Sequence, residues 1–311
     1  MTIINQRLED IDSALTDGSI GTVASLSSYE ATNGNTSAFQ AHMDGLKELI
    51  KLRGGLQAHG MNKFMKRLIL WTDLNCANTL GGLPEFDVSE YTNLLSPTPL
   101  TTPKEDQLEF QLQWKPNSNL LQDLQLLDES LLGLFIDVRD LAELDLDQPK
   151  SPQGMNAIQD SDRLLLTEFK LLALSKSPTS SKLVASTCMA AIIFLDEHLR
   201  GINFNARIMD RFIARLQASM NEVLDTISPF DIEVEMARIV LWILYVGGTA
   251  AEQKPERAWF VAHLSCFCSS IHINKWEDAK PILESFLWPP DWEKCGRCLW
   301  EEVDKDRAAS S

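Results

Sequence analysis

The apolar residues of this chain recur at helical spacing over most of its length. In one early segment, steps of four, three and four residues mark a single buried face: Phe39, Met43, Leu46 and Ile50. Gly54 and Gly55 follow, and paired glycines at such a position are typical of a left-handed helix end and its turn. We therefore expect a helix that ends near Gly54.

A second helix is predicted after Gly60, and it is apolar on two adjacent faces. These faces carry Met61, Met65 and Leu68, and Phe64, Leu68 and Trp71. A helix that is apolar over so wide an arc belongs in a protein interior. The sequence therefore predicts a helical hairpin over residues 42–80, with its second arm buried.

The same alternation of helices and polar turns continues to the end of the chain. Further helices are predicted over 120–147, 162–174, 182–200 and 205–224, and from Ser228 to the pair Gly247 and Gly248, which predicts another helix end. A Pro-rich loop at 81–119 and a linker at 148–159 interrupt them. We expect an all-α fold, with stacked antiparallel helices in one continuous helical array that forms a single domain over 1–311.

Aromatic residues concentrate after Pro255. Their helical spacing favours a packed end of the helical array over a ligand-binding aromatic box. The residues are Trp259, Phe260, Phe267, Trp276, Phe286, Trp288, Trp292 and Trp300.

Two charged residues in the hairpin need an explanation. Arg53 lies in the last turn of the first arm, where a cation favours the negative end of the helix. Asp73 lies within an apolar helix, where an unpaired carboxylate is costly. One hypothesis pairs Asp73 with a cation across the hairpin, with Arg53 as the candidate. The alternative places Asp73 in solvent at the edge of the apolar face.

The charge balance of the chain is strongly acidic. It has 28 Lys and Arg against 44 Asp and Glu, a formal net charge of -16 at pH 7. DNA affinity rests largely on clustered Lys and Arg that contact phosphates, so no direct DNA binding is predicted. The sequence shows neither an apolar run that could span a membrane nor a secretory signal. A soluble intracellular protein without a membrane association is expected.

The helix predicted over 120–147 has an acidic outer face that is opposed only by Arg139. We interpret it as an ordinary solvated helix surface, with an acidic surface for partner proteins as the alternative. The acidic residues are Asp123, Asp128, Glu129, Asp137, Asp140, Glu143, Asp145 and Asp147.

The six cysteines lie mostly in apolar helical context, which indicates reduced thiols. Four of them could supply a thiolate set for zinc: Cys266, Cys268, Cys295 and Cys298. A C-x-C pair on a helix directs its thiols to different faces, so a structural role is favoured and no metal is predicted.

No catalytic motif of a familiar kind is present in the sequence. Asp137 and Asp140 match part of the aspartate-rich magnesium motif of all-helical enzymes such as terpene cyclases. Because Arg139 lies between them and no second set of ligands is evident, this match is to spacing alone. A protein that is not an enzyme and has no cofactor is predicted, with an all-helical metal-dependent enzyme as an alternative.

Two ordered sets of residues carry a family resemblance. The first is His42, Gly45-Leu46, Arg53-Gly54-Gly55-Leu56, Trp71, Asp73, Pro84 and Phe86. The second is Leu241 to Glu252 with Trp242, Gly247 and Gly248, then Arg257 to Phe260, Trp276, Phe286 to Trp288, and Leu299-Trp300. In this order the sets resemble the fungal-specific transcription factor domain, the helical regulatory region that follows a binuclear zinc cluster in many fungal regulators. The resemblance extends roughly from Leu8 to Val303.

The resemblance implies a nuclear role in transcriptional control through binding of a partner or an effector. Other transcription regulators or a second copy of the chain are the implied partners. The zinc cluster of the family needs six closely spaced cysteines among basic residues, and no cysteine precedes Cys76. We therefore expect a regulator without its own DNA-binding zinc cluster. The alternative is the C-terminal part of a longer zinc-cluster factor with a missed N-terminal exon.

Overall fold

The computed structural model describes residues 10–57, 60–95, 124, 127–146, 155–227 and 232–310. Regular structure in these ranges is helical throughout and includes no strand, which confirms the all-α prediction. The α-helices are α1 Ile11–Ala14, α2 Asp17–Thr32, α3 Thr36–Leu52, α4 Lys63–Leu80, α5 Val88–Leu95, α6 Glu129–Leu146, α7 Met155–Ser175, α8 Lys182–Phe194, α9 Arg207–Thr226, α10 Val234–Ala250, α11 Arg257–Ser270, α12 Trp276–Ser285 and α13 Glu293–Ser310. A π-helical turn, Leu195–Leu199, extends α8, and a 3-10 turn, Pro290–Trp292, precedes α13.

The chain forms two compact units. Unit 1 contains the described residues within 1–99, 150–169 and 206–208, and unit 2 contains those within 100–149, 170–205 and 209–311. A single domain over 1–311 stays a prediction.

Unit 1 is built around the predicted hairpin of α3 and α4. Helix α3 ends at Leu52, and Gly54 and Gly55 follow with φ of 99° and 90°, so the predicted left-handed turn is confirmed. The stretch from Thr72 to Thr79 in α4 is buried without a break, as expected for a central helix. The first turn differs, because Phe64 is 69% exposed. The apolar face marked by Phe64 therefore does not extend into the core.

Unit 2 is built around α10, which is buried from Ile239 onward. The prediction that Gly247 and Gly248 end this helix is wrong, because α10 continues to Ala250. Both glycines lie inside the helix, where the lack of a side chain lets other helices approach closely. A glycine pair after an apolar run can thus mean a helix end, as in α3, or a packing surface, as here.

Several predicted boundaries shift. The second part of the linker predicted at 148–159 is helical, since α7 begins at Met155. Helix α5 lies within the predicted loop at 81–119, and most of the rest of that loop is outside the described residues. The helix start predicted at Ser228 also lies outside them, and α10 begins at Val234. Among the described helices, none is long and apolar enough to cross a bilayer.

Candidate functional site

The first candidate site surrounds the Asp73 carboxylate in α4. Asp73 is 1% exposed and accepts hydrogen bonds from the backbone N–H of Glu85 at 2.9 Å and of Phe86 at 3.1 Å. The hydroxyl of Tyr91 in α5 lies 3.0 Å from the same carboxylate. A single buried side chain thus binds both the segment after α4 and helix α5. Burial raises the pKa of Asp73 to about 6, against the opposing effect of these three hydrogen bonds.

The predicted pair of Arg53 with Asp73 does not form. Arg53 instead makes an ion pair with Asp17 at the start of α2, and Asn62 donates to the other oxygen of Asp17 at 2.8 Å. The alternative of a solvent-exposed Asp73 is also wrong, because the carboxylate is buried. Backbone N–H groups stabilise the Asp73 carboxylate in place of the expected cation. They satisfy its oxygen atoms without a second buried charge.

We expect a double-mutant cycle between Arg53 and Asp17 to give a coupling energy of about 0.5–1 kcal/mol, typical of a partly exposed ion pair. Urea unfolding of Arg53→Met, Asp17→Asn and the double variant measures it. The matched cycle between Arg53 and Asp73 should give no coupling. A larger coupling to Asp73 than to Asp17 would contradict the observed pairing.

Other polar contacts of α4 connect it to the helices on its remaining sides. The hydroxyls of Thr72 and Ser28 lie 2.9 Å apart between α4 and α2. Arg67 binds the buried carboxylate of Asp162 in α7 with two nitrogen atoms, and this contact raises the pKa of Arg67. Two residues before the end of α4, Asn78 donates to Glu168 of α7 at 2.5 Å. Helix α4 is therefore held by hydrogen bonds as well as by apolar packing.

The second family set lies in unit 2 and is a packing site. Trp242 is completely buried, donates from Nε1 to the carbonyl of Leu287 at 3.1 Å and stacks on Phe286 with ring centres 5.6 Å apart. A Cβ at Gly247 would lie 2.5 Å from Cζ of Phe260, and one at Gly248 would lie 2.6 Å from Cδ2 of Leu299. No side chain fits at either position without displacing its neighbour.

The carbonyl of Gly248 also accepts a hydrogen bond from Arg257 Nη1 at 2.5 Å. Arg257 in turn binds both carboxylate oxygens of Glu302 in α13, at 3.0 and 2.8 Å. The end of α10 is thereby joined to α11 and α13 by one guanidinium group. This contact explains why an arginine follows the glycine pair in the second set.

The four cysteines proposed as an alternative zinc site are not brought together. Cys266 is exposed and Cys268 is buried on the other side of α11, while Cys295 is half-buried and Cys298 exposed on α13. Across the described residues, no group of three or more His, Cys, Asp or Glu side chains is arranged to hold a metal ion. The C-x-x-C segment has a packing role, because a Cβ at Gly296 would lie 2.6 Å from Trp288 and 2.7 Å from Trp276.

The remaining predicted residues lie on three separate helices. His42 on α3 and Trp71 on α4 are half-buried, and so are Asp137 and Asp140 on α6. The guanidinium of Arg139, between the two aspartates, donates to the carbonyl of Phe286 at 3.2 Å. That arginine therefore helps to attach α6 to the chain after α12.

Sequence reasoning missed Tyr91, because the segment around it was assigned to a loop. A local signal was available. Asp87 accepts from the N–H of Ser89 at 2.8 Å, and Glu90 follows Asp87 by three residues, the spacing of a helix-capping sequence. Such a start followed by an apolar residue predicts a short helix, and the Tyr91 side chain is then directed toward the core.

The two sites define a class of protein: an all-helical scaffold whose distinctive residues hold helices together. Residues 1–286 match the family model of the fungal specific transcription factor domain, and the chain belongs to that family. Searches of curated proteins and of solved structures each found no match. Family membership makes the chain a transcription-regulator-like protein.

Proposed function

We propose that the chain acts in the nucleus as a transcription modulator that binds other transcription regulators and does not itself contact DNA. Its membership of the family over residues 1–286 carries the regulatory part of this proposal. The net charge of -16 supports the second part, because phosphate contacts require clustered cations. The partner-binding surface would take a protein, either a complete member of the family or a second copy of the chain.

A tethered reporter assay tests the regulatory part. The chain is fused to an unrelated sequence-specific DNA-binding domain, and transcription from a promoter with its binding site is measured. We expect a change in transcription relative to the DNA-binding domain alone, since recruitment replaces the contact that a partner would make. An unchanged reporter with a stably expressed fusion would contradict the proposal.

A binding titration tests the second part. Fluorescence anisotropy of a labelled random duplex, at about 0.15 M salt, should show no saturation at about 10 μM chain, because like charges repel. A matched basic DNA-binding protein serves as the control for duplex quality. Tight binding to any one sequence in a selected duplex pool would overturn this part while leaving the regulatory role intact.

A further inference from the structure

The buried carboxylate of Asp73 has donors but no cation. Its donors all come from the chain that follows α4: the N–H groups of Glu85 and Phe86 and the hydroxyl of Tyr91. No Lys or Arg of the described chain pairs with it. An ionised carboxylate at this depth is therefore stabilised by dipoles alone, and its charge is costly to keep.

The hydroxyl of Tyr91 has two acceptors for one proton. Its oxygen lies 3.0 Å from Asp73 Oδ2 and 3.1 Å from the carbonyl oxygen of Leu70. When Asp73 is ionised, the hydroxyl must donate to one of the two. When Asp73 is protonated, its own O–H donates to the Tyr91 oxygen, and Tyr91 donates to Leu70. A proton on Asp73 therefore completes the hydrogen bonds of this group.

We propose that Asp73 and Tyr91 form a proton-linked latch, in which uptake of one proton by the carboxylate holds residues 82–91 more firmly against α4. Release of the proton favours an open state in which Asp73 is hydrated. The carboxylate of Asp73 can hold the whole segment because one of its donors, Glu85, lies just after α4 and another, Tyr91, lies in α5. This inference does not depend on the proposed function.

The sign follows from the raised pKa of Asp73. Its ordinary value is 3.8 and burial raises it to about 6, so the closed latch is favoured fully below pH 3.8 and loses this advantage as pH rises through 6. The opening equilibrium constant should thus rise about tenfold between pH 5 and pH 7.5. Acidification closes the latch, and neutral pH loosens it.

The titratable groups around Asp73 do not reverse this pH dependence of opening. Burial raises the pKa of Cys76 to about 12 and raises that of Tyr91 further still, so both stay neutral. Lys47 stays charged, since its contact with Glu85 raises its pKa despite burial. The titratable or charged side chains around the latch are Asp44 and Lys47 on α3, Cys76 on α4, Glu85 in the following segment, Tyr91 on α5 and Glu168 on α7.

Amide hydrogen exchange over residues 82–91, corrected for the intrinsic pH dependence of exchange, measures opening directly. The intact chain should show the tenfold rise from pH 5 to pH 7.5, and Asp73→Asn should remove it because position 73 no longer titrates. Exchange in α3 of the same samples is the internal control. Equal pH dependence in both proteins, or none in the intact chain, would overturn the latch.

A carboxyl carbon NMR titration of the unaltered chain keeps the test valid if Asp73→Asn does not fold. The Asp73 signal should titrate with a midpoint near pH 6, and a midpoint near 4 would overturn the proposal. Tyr91→Phe keeps the ring against Phe169, whose centre is 4.4 Å away, and removes only the hydroxyl. Its midpoint should differ from that of the intact chain, because the hydroxyl contacts the carboxylate in both protonation states; an unmoved midpoint would exclude Tyr91 from the latch.

Discussion

Replacing Trp242 by alanine is expected to destabilise the protein by about 3–5 kcal/mol, the usual cost of removing a buried tryptophan. Trp242 is fully buried, and its ring contacts Phe135 and Phe286 with centres 5.4 and 5.6 Å away. The substitution would leave a cavity between α6, α10 and the chain after α12. It would also remove the hydrogen bond to the carbonyl of Leu287. Urea unfolding followed by far-ultraviolet circular dichroism measures the change.

One further variant separates the hydrogen bond from the packing of Trp242, and a second serves as a control. Trp242→Phe keeps most of the ring but loses the Nε1 donor, so we expect a smaller loss of about 1–2 kcal/mol. Phe64→Ala removes an aromatic side chain that is 69% exposed and should change stability by less than about 0.5 kcal/mol. If Trp242→Ala cost no more than Phe64→Ala, the assignment of Trp242 to the packed core of unit 2 would be wrong.

Helical spacing was enough to predict the first arm of the hairpin and its end. The face of Phe39, Met43, Leu46 and Ile50 is fully buried in α3, and Gly54 and Gly55 take the positive φ expected after it. Both features are local, because a helix face and a helix end are determined by residues within a few positions of each other. Helix α5, which lies within the predicted loop, was missed because its capping residues at Asp87 and Glu90 were not used.

The partners of polar groups could not be predicted in the same way. The sequence showed that Asp73 is an unusual residue for an apolar helix. It suggested Arg53 as the partner, because a sequence identifies cationic side chains directly. The observed donors are two backbone N–H groups, which every residue except proline carries. Arg67 and Asp162 are far apart along the chain and pair only after α4 and α7 come together. Such contacts have no local sign in the sequence.

The same limit applies to the glycines of unit 2. Gly247 and Gly248 were assigned to a helix end by analogy with Gly54 and Gly55, and the local sequences do not distinguish the two cases. Their role depends on Phe260 and Leu299, which reach them from other helices. Gly247 and Gly248, which belong to the second family set, thus serve contacts between helices.

A direct test of this packing role is Gly247→Ala, which should destabilise the protein by about 1–3 kcal/mol even though alanine favours helices. The added Cβ would lie 2.5 Å from Cζ in the buried ring of Phe260 and 3.1 Å from Cδ2 of Leu216, so one of these side chains must move. Gly45→Ala is the matched control. Gly45 is also inside a helix, α3, but no atom lies within 4 Å of its added Cβ, so we expect stabilisation by about 0.5–1 kcal/mol.

The double variant Gly247→Ala with Phe260→Leu separates overpacking from any other effect of the alanine. Because a leucine at position 260 removes the ring that the new Cβ would meet, Gly247→Ala should cost less in this background than in the natural chain. Urea unfolding of the four proteins in the cycle gives the coupling energy. Stabilisation by Gly247→Ala alone, equal to that of Gly45→Ala, would show that the close approach of α11 to α10 does not constrain this position.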